Sequence, residues 1–241
     1  MAAIPRGLEY WKLLAAVINH EPVLERDRFF TAMSKPLGIE KGKPFEPDTR
    51  QLKILSEAAL VGEAMAKANT FDKRFEGSLY RPQTHWHCVI SLNPTQEAPN
   101  YSQVDERAAY FYEGVLITNA MISKTPGVGQ AYLGACRDKN GRAFAGGKNC
   151  SLHVPADPPA QQFWSVTIYD ADTRAIIQNE EHVADRSSRQ PDLIKNPDGS
   201  VDLYFGPVAP EGLREELDSD SARQKLVYVV SPLRAPGSLL R

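Results

Sequence analysis

The sequence predicts an α+β protein in which N-terminal helices pack on an antiparallel β-sandwich. Two observations predict it: apolar residues recur at helical spacing in the first third of the chain, and the spacing changes to alternation near Pro126. With 241 residues, of which 42% are hydrophobic, the chain can bury a sizeable core. No apolar run approaches the roughly 18 residues of a membrane span, so the sequence predicts no membrane partner.

The helical part begins at Leu8, from which apolar residues follow each other with the period of a helix. Pro22 suits the first turn of a second helix. Asp48 and Gln51 have the spacing of a capping box, which predicts the start of a longer helix that ends near Asn69. We therefore expect helices over about residues 8 to 70.

A second cap, Ser102 with Asp105, predicts a helix over about 103 to 123. Beyond it, short runs rich in Val, Ile, Tyr, Phe and Thr are separated by turn residues, as in antiparallel strands. In the run from Phe163 to Asp170 both alternating faces carry large side chains, so we expect a strand covered on both sides. The predicted domains are a helical segment at 1–125 and a sandwich at 126–215.

Charge and cysteine content exclude several classes of function. The 28 basic and 30 acidic residues are interspersed, which gives no surface for a nucleic acid. Cys88, Cys136 and Cys150 form no C-x-x-C pair and are interpreted as reduced thiols. Since the N-terminus lacks the apolar region of a signal peptide, we expect a cytoplasmic protein.

The pair His85 and His87 suggests a divalent metal site. Residues two apart on a strand face the same side, so both imidazoles could bind one ion with Glu113 as a third ligand. The alternative is a pair of histidines on a solvated strand or loop, because nothing else nearby has ligand spacing.

Asp170 and Asp172 follow the predicted strand and are candidates for general acid or base, with Arg174 holding a carboxylate of the protein or of a substrate. The alternative is a turn in which the aspartate side chains bind backbone amides.

Glu113 follows Tyr112 on the predicted Asp105 helix. A glutamate packed against aromatic rings loses hydration, which raises its pKa and suits it to act as an acid. The alternative is that Glu113 points outward. We add Tyr112, Trp164 and Tyr169 to Arg174 as candidate substrate-binding residues.

The block F-W-S-x-T-x-Y-D-x-x-T-R at Phe163–Arg174, within the run from Asp105 to Phe205, resembles the family called domain of unknown function 1214. The upstream segment ERDRFFTAMSKPLGIEKGKPFEPD resembles the region that precedes this domain in larger relatives, which also carry a domain of unknown function 1254. The resemblance implies a jelly-roll-like sandwich with attached helices. It implies no agreed reaction.

After Gly212 the chain departs from the family pattern, which continues with a stretch like NWIPT-PGK-W. Codons permitted for Glu216 to Arg241 can be chosen so that the next reading frame gives NWIPTVPGKSWFMSFRLYAPREAFF. We therefore predict that residues 216–241 are a frameshifted, non-native tail. A missing last strand leaves an open sheet edge, which favours a homo-oligomer.

Two classes of function fit these observations. The first is a hydrolase or lyase that acts on a small organic or carbohydrate ligand in a cleft, with Glu113, Asp170 or Asp172 as acid or base. The second is a non-catalytic binding or assembly module in which Trp164, Tyr169 and Arg174 only stabilise the sandwich. Sandwich folds host both classes, so the fold does not decide between them.

Overall fold

The computed structural model describes residues 5–93, 95–114, 132–158, 160, 163–177 and 184–207. The chain divides into two compact units between Ala68 and Asn69. The described residues combine α-helices with small antiparallel sheets, as the sequence predicts. The predicted tail at 216–241 lies outside the described residues.

The first unit is helical. Its elements are α1 (Leu8–His20), α2 (Arg28–Ser34) and most of α3 (Thr49–Phe71). The indole N–H of Trp11 donates to the carbonyl of Leu55 at 2.7 Å, which ties α1 to α3. Leu55 is fully buried at this contact.

The predicted capping box at the start of α3 is present. The backbone N–H of Gln51 donates to Asp48 Oδ1 at 2.7 Å, and the N–H of Asp48 donates to Gln51 Oε1 at 2.8 Å. These reciprocal bonds satisfy two amides that a helix start leaves without an intrahelical acceptor.

The second helix begins later than the sequence predicts. Glu21, before Pro22, is extended (φ −80°, ψ 148°), and so is Leu24 (φ −75°, ψ 153°). A proline disfavours the helical conformation in the residue before it. The helical conformation starts only with a short 3-10 turn at Glu25–Asp27, which leads into α2.

The second unit contains helix α4 and six short strands within the described residues. Their bounds are α4 (Val104–Gly114), β1 (Trp86–Cys88), β2 (Leu133–Ala135), β3 (Cys150–Val154), β4 (Ser165–Thr167), β5 (Asp185–Ser187) and β6 (Val201–Phe205). The antiparallel pairs are β1 with β2, β3 with β6, and β4 with β5. The predicted continuation of α4 to residue 123 falls outside the described part.

Two apolar clusters form the core of this unit. Val89, Ile90, Leu92, Tyr110 and Cys136 make up the first, and Tyr169 packs against it. The second contains Trp164 and Val166 of the predicted two-sided strand, together with Val154, Val201 and Leu203. On the strand's other face the side chains are half-buried, so its two faces are not covered equally.

Within the described ranges, no helix combines the length and the apolar character that a membrane crossing requires.

Candidate functional site

Three charged or titratable side chains from distant parts of the sequence meet inside the second unit. The ammonium of Lys73 donates to Oε2 of Glu113, and Nε2 of His87 lies 3.9 Å from Oε1 of the same carboxylate. The side chains of Lys73, Glu113 and His87 are only 2%, 4% and 7% exposed. We call these three residues the buried charge cluster.

The local structure explains how these residues come together. Thr70, near the end of α3, donates through its hydroxyl to the carbonyl of Ala109 on α4 at 3.2 Å, which brings Lys73 close to α4. The chain then turns, and Leu79 forms an antiparallel bridge with His87. The amide of Cys88 donates to the carbonyl of Ser78 at 2.8 Å and fixes that register.

His87 is held as a neutral imidazole at neutral pH. Burial lowers its pKa from the ordinary value of 6.5 because the charged form loses hydration. Glu113 opposes this shift, and the positive charge of Lys73 adds to it. A neutral imidazole beside a carboxylate can accept a proton, as a general base does.

Neighbouring groups keep their protons. Burial, with a smaller contribution from the charge of Glu113, raises the pKa of the Cys136 thiol to about 12. The same two causes raise the pKa of Tyr110. Cys136 therefore stays a thiol rather than a reactive thiolate at neutral pH.

Tyr112, the residue before Glu113 on α4, contacts an arginine. The guanidinium carbon of Arg174 lies 3.9 Å from the centroid of the Tyr112 ring, a cation–π contact. Arg174 has a left-handed backbone (φ 56°), which is costly for a residue with a side chain and is common at ligand-binding sites. Its Nη1 donates to the carbonyl of Asp172 at 2.9 Å.

Asp170 and Asp172 lie in the turn that their alternative interpretation describes. Oδ1 of Asp170 accepts from the amides of Asp172 and Thr173 and from the hydroxyl of Thr173, at 3.1, 2.7 and 2.8 Å. Asp172 is exposed. The hydrogen bonds of Asp170 are those of an aspartate-stabilised turn, and the catalytic assignment of both residues stays a prediction.

The two histidines of the H-x-H pair have different environments. His87 is buried, whereas His85 is exposed and precedes β1. Among the described residues, no three His, Cys, Asp or Glu side chains lie close enough together to hold a metal ion. Glu113 does lie beside His87, as the metal hypothesis requires, but its other oxygen is bound by Lys73.

Two of the candidate substrate-binding residues lie in the apolar cores. Trp164 is 7% exposed in the second core cluster, and half-buried Tyr169 packs against the first. The structure thus brings together Glu113 and His87, brings Arg174 onto the ring of Tyr112, and places Trp164 in a separate apolar cluster.

Sequence reasoning missed Lys73. Its neighbours Asp72 and Arg74 are charged and exposed, so the segment has the composition of a solvated turn. The partner Glu113 is 40 positions away. No local pattern in one sequence signals a contact of that separation.

A second histidine–carboxylate pair lies at the surface. His153 Nδ1 is 2.7 Å from Oδ1 of Asp202 on the neighbouring strand, and the amide of Asn196 donates to Oδ2 at 2.8 Å. The side chains of His153 and Asp202 are 61% and 35% exposed. This arrangement is that of a hydrogen-bonded structural histidine.

Comparison with known proteins finds a family model that matches part of the second unit. Residues 129–219 match the family model described as protein of unknown function, DUF1214. The match supports the family that the sequence resembles. Asp170 and Arg174 lie within the matched segment, whereas the buried charge cluster precedes it.

A solved structure and the curated proteins complete the comparison. The VPA0106 protein from Vibrio parahaemolyticus is 17% identical, with a TM-score of 0.43. The alignment covers 99% of this chain and 55% of that one, so the present chain spans about half its length. Comparison with the curated proteins gives no match.

Proposed function

We propose that the chain is an acid–base enzyme, a lyase or hydrolase, that acts on a small organic ligand at the buried charge cluster. One observation supports this most: a carboxylate, an ammonium and a neutral imidazole share a site that is almost closed to water. Buried ion pairs contribute little to net stability, whereas titratable groups with altered pKa values concentrate at functional sites.

Each residue has a role that its environment favours. His87 is the general base because its lowered pKa keeps a lone pair available at neutral pH. Glu113 moves a proton through Oε1, which accepts no hydrogen bond from the described residues. Arg174, on the ring of Tyr112, holds an anionic group of the ligand.

The buried charge cluster contains one carboxylate, Glu113, which contacts Lys73 and His87. Glycoside hydrolases need two carboxylates about 5 to 9.5 Å apart. We therefore prefer a small organic ligand to a carbohydrate. The jelly-roll arrangement, the pairing with a domain of unknown function 1254 and the homo-oligomer remain proposals that rest on the sequence.

The alternative is a non-catalytic binding or assembly module. The packing of Trp164 in the second core cluster favours it, because this residue supports the fold there. In that case Lys73 and Glu113 form a structural ion pair only.

Turnover measurements distinguish the two functions. A panel of small esters and of carbonyl compounds with an acidic C–H bond is assayed with the wild type, Glu113→Gln and His87→Gln. We expect kcat/KM to fall about 100-fold or more in both variants. Turnover of no compound, or activity that ignores both substitutions, would contradict the enzyme.

Glu106→Gln is a matched control. Glu106 is also a buried carboxylate on α4, but it accepts from Tyr101 and Gln103, so its loss should leave turnover unchanged. The double variant Lys73→Met with Glu113→Leu removes both charges together. It should remain folded by circular dichroism and lack activity, which separates catalysis from folding.

A further inference from the structure

We propose that Lys73 is a nucleophile that binds a small aldehyde or ketone as an imine. The inference deepens the proposed function and rests on it, since it names the substrate class and the covalent step at the same site. It starts from the placement of the Lys73 amine, whose only close ion-pair partner among the described residues is Glu113.

The contact with Glu113 supplies the proton transfers that imine formation needs. An ammonium is not nucleophilic, and it must first lose a proton. The Glu113 carboxylate contacts the Lys73 ammonium directly and is the group placed to accept that proton. Since both side chains are at most 4% exposed, the transfer replaces two poorly hydrated charges with a neutral amine and a neutral acid.

The reaction then balances without any further reagent. The Lys73 nitrogen attacks the carbonyl carbon and a C–N bond forms, while the carbonyl oxygen takes a proton from the attacking nitrogen to give a neutral carbinolamine. Glu113 donates its proton to the departing hydroxyl, the C–O bond breaks, and water leaves. The products are a protonated imine on Lys73, a carboxylate on Glu113 and one water molecule.

The protonated imine keeps the electrostatics of the resting site. One positive charge on the Lys73 nitrogen again faces one negative charge on Glu113, so no unpaired charge is left in the interior. An iminium ion also acidifies the C–H bond on the adjacent carbon. His87, whose Nε2 lies 3.9 Å from the other carboxylate oxygen of Glu113, is the neutral base available to remove that proton.

Burial sets the size of the ligand. The Lys73 side chain is 2% exposed, so the carbonyl compound must be small. Acetaldehyde is the probe of choice, because its imine with lysine is reduced by sodium cyanoborohydride to a stable ethylated amine that mass spectrometry locates in the chain.

The test compares Lys73 with exposed lysines in the full-length wild-type protein. The side chains of Lys35 and Lys43 are 67% and 64% exposed. Both also form ion pairs, with Glu40. If Lys73 were only structural, its burial would make it react more slowly than these two. We expect the opposite order, with Lys73 labelled about tenfold faster at limiting acetaldehyde, because a positioned acid accelerates the water loss.

Two variants with one changed carboxylate sharpen the test. Glu113→Gln should lower the labelling rate of Lys73 about tenfold or more and leave that of Lys35 and Lys43 unchanged. Glu106→Gln should change none of the three rates. Labelling of the wild type in urea should remove the preference for Lys73, because the preference depends on the fold. If Glu113→Gln is unfolded, the order of the labelling rates in the folded wild type still decides whether Lys73 forms the imine.

The results separate this inference from the proposed function. Labelling of Lys73 no faster than that of Lys35, with turnover that depends on Glu113, would overturn the imine and leave the acid–base enzyme. Turnover retained in Lys73→Arg, which keeps the positive charge but cannot form the imine, would do the same. Selective labelling of Lys73 without turnover of any panel compound would support the imine and contradict the proposed enzyme.

Discussion

Two histidine–carboxylate pairs in the second unit differ both in the distance between the partners and in burial, and the two differences have opposite effects on how strongly the partners depend on each other. His153 and Asp202 approach to 2.7 Å at the surface, whereas His87 and Glu113 lie 3.9 Å apart in the interior. The shorter contact is exposed to water, which screens it and competes for its hydrogen bonds. The longer contact is nearly closed to water, so each charge there depends on its protein partners. The distances alone would therefore predict the wrong order for the effects of the two pairs on stability.

The largest effect is expected when one charge of the buried charge cluster is removed. Glu113→Gln leaves the Lys73 ammonium inside the protein without its carboxylate. Such losses cost about 3–5 kcal/mol of unfolding free energy. Urea denaturation followed by circular dichroism measures it.

The double variant Lys73→Met with Glu113→Leu controls for this effect. It removes both charges and should recover most of the stability lost in Glu113→Gln, because no isolated charge remains. A loss of less than about 1 kcal/mol in Glu113→Gln, the range of a surface pair, would show that water reaches the cluster.

The next largest effect is a dependence of stability on pH that His87 causes. Because the pKa of His87 is lowered by folding, the unfolded chain binds more protons as the pH falls below about 6.5. Its contribution is fully present above the unfolded pKa and is lost as the pH drops through the window down to the lowered pKa. For one proton the slope cannot exceed about 1.4 kcal/mol per pH unit.

Chemical denaturation at pH values between 5 and 8 measures this slope, a range set by the ordinary titration of histidine. His87→Gln should flatten it, and the difference between the two curves isolates the contribution of His87. Equal slopes in wild type and variant would show that His87 is hydrated in the folded state.

The smallest effect is expected at the surface pair. Asp202→Asn removes the negative charge that faces His153 but leaves an exposed side chain that water can solvate. We expect a much smaller shift of the melting temperature than Glu113→Gln gives, and a smaller one still at high salt.

The pH dependence of stability is also predicted for the surface pair of His153 and Asp202. Hydrogen bonds from Asn196 and then from His153 lower the pKa of Asp202. Its contribution is therefore present above the unfolded pKa and is lost as the pH falls through the lowered value. A melting temperature of Asp202→Asn that falls as far as that of Glu113→Gln would contradict the comparison.

Local features of the fold follow from the sequence because their causes are local. The capping box of Asp48 and Gln51 and the aspartate turn at Asp170 involve residues two or three positions apart, so spacing alone predicts them. Helix α1 begins at the predicted residue for the same reason. The later start of α2 shows the limit, because Pro22 is compatible with a helix start but does not require one.

Part of the buried charge cluster can be predicted from the sequence. Glu113 and His87 are visible in the sequence as residue types that carry chemistry, and the sequence alone suggests them as neighbours. It does not show that His85 is exposed while His87 is buried, because alternation predicts which residues share a face but not which of them the core covers. The tertiary structure decides this when β1 pairs with β2 and the bridge from Leu79 to His87 forms.

The contact between Lys73 and Glu113 shows most clearly which features the sequence determines and which only the tertiary structure determines. The sequence by itself determined a charged segment after α3 and a helix that carries Glu113. Only the tertiary structure decided that the two charges meet, because the contact joins residues 40 positions apart. Long-range pairs of this kind depend on how helices and strands pack. Burial then makes each charge depend on its partner, because it removes the water that would solvate the charge.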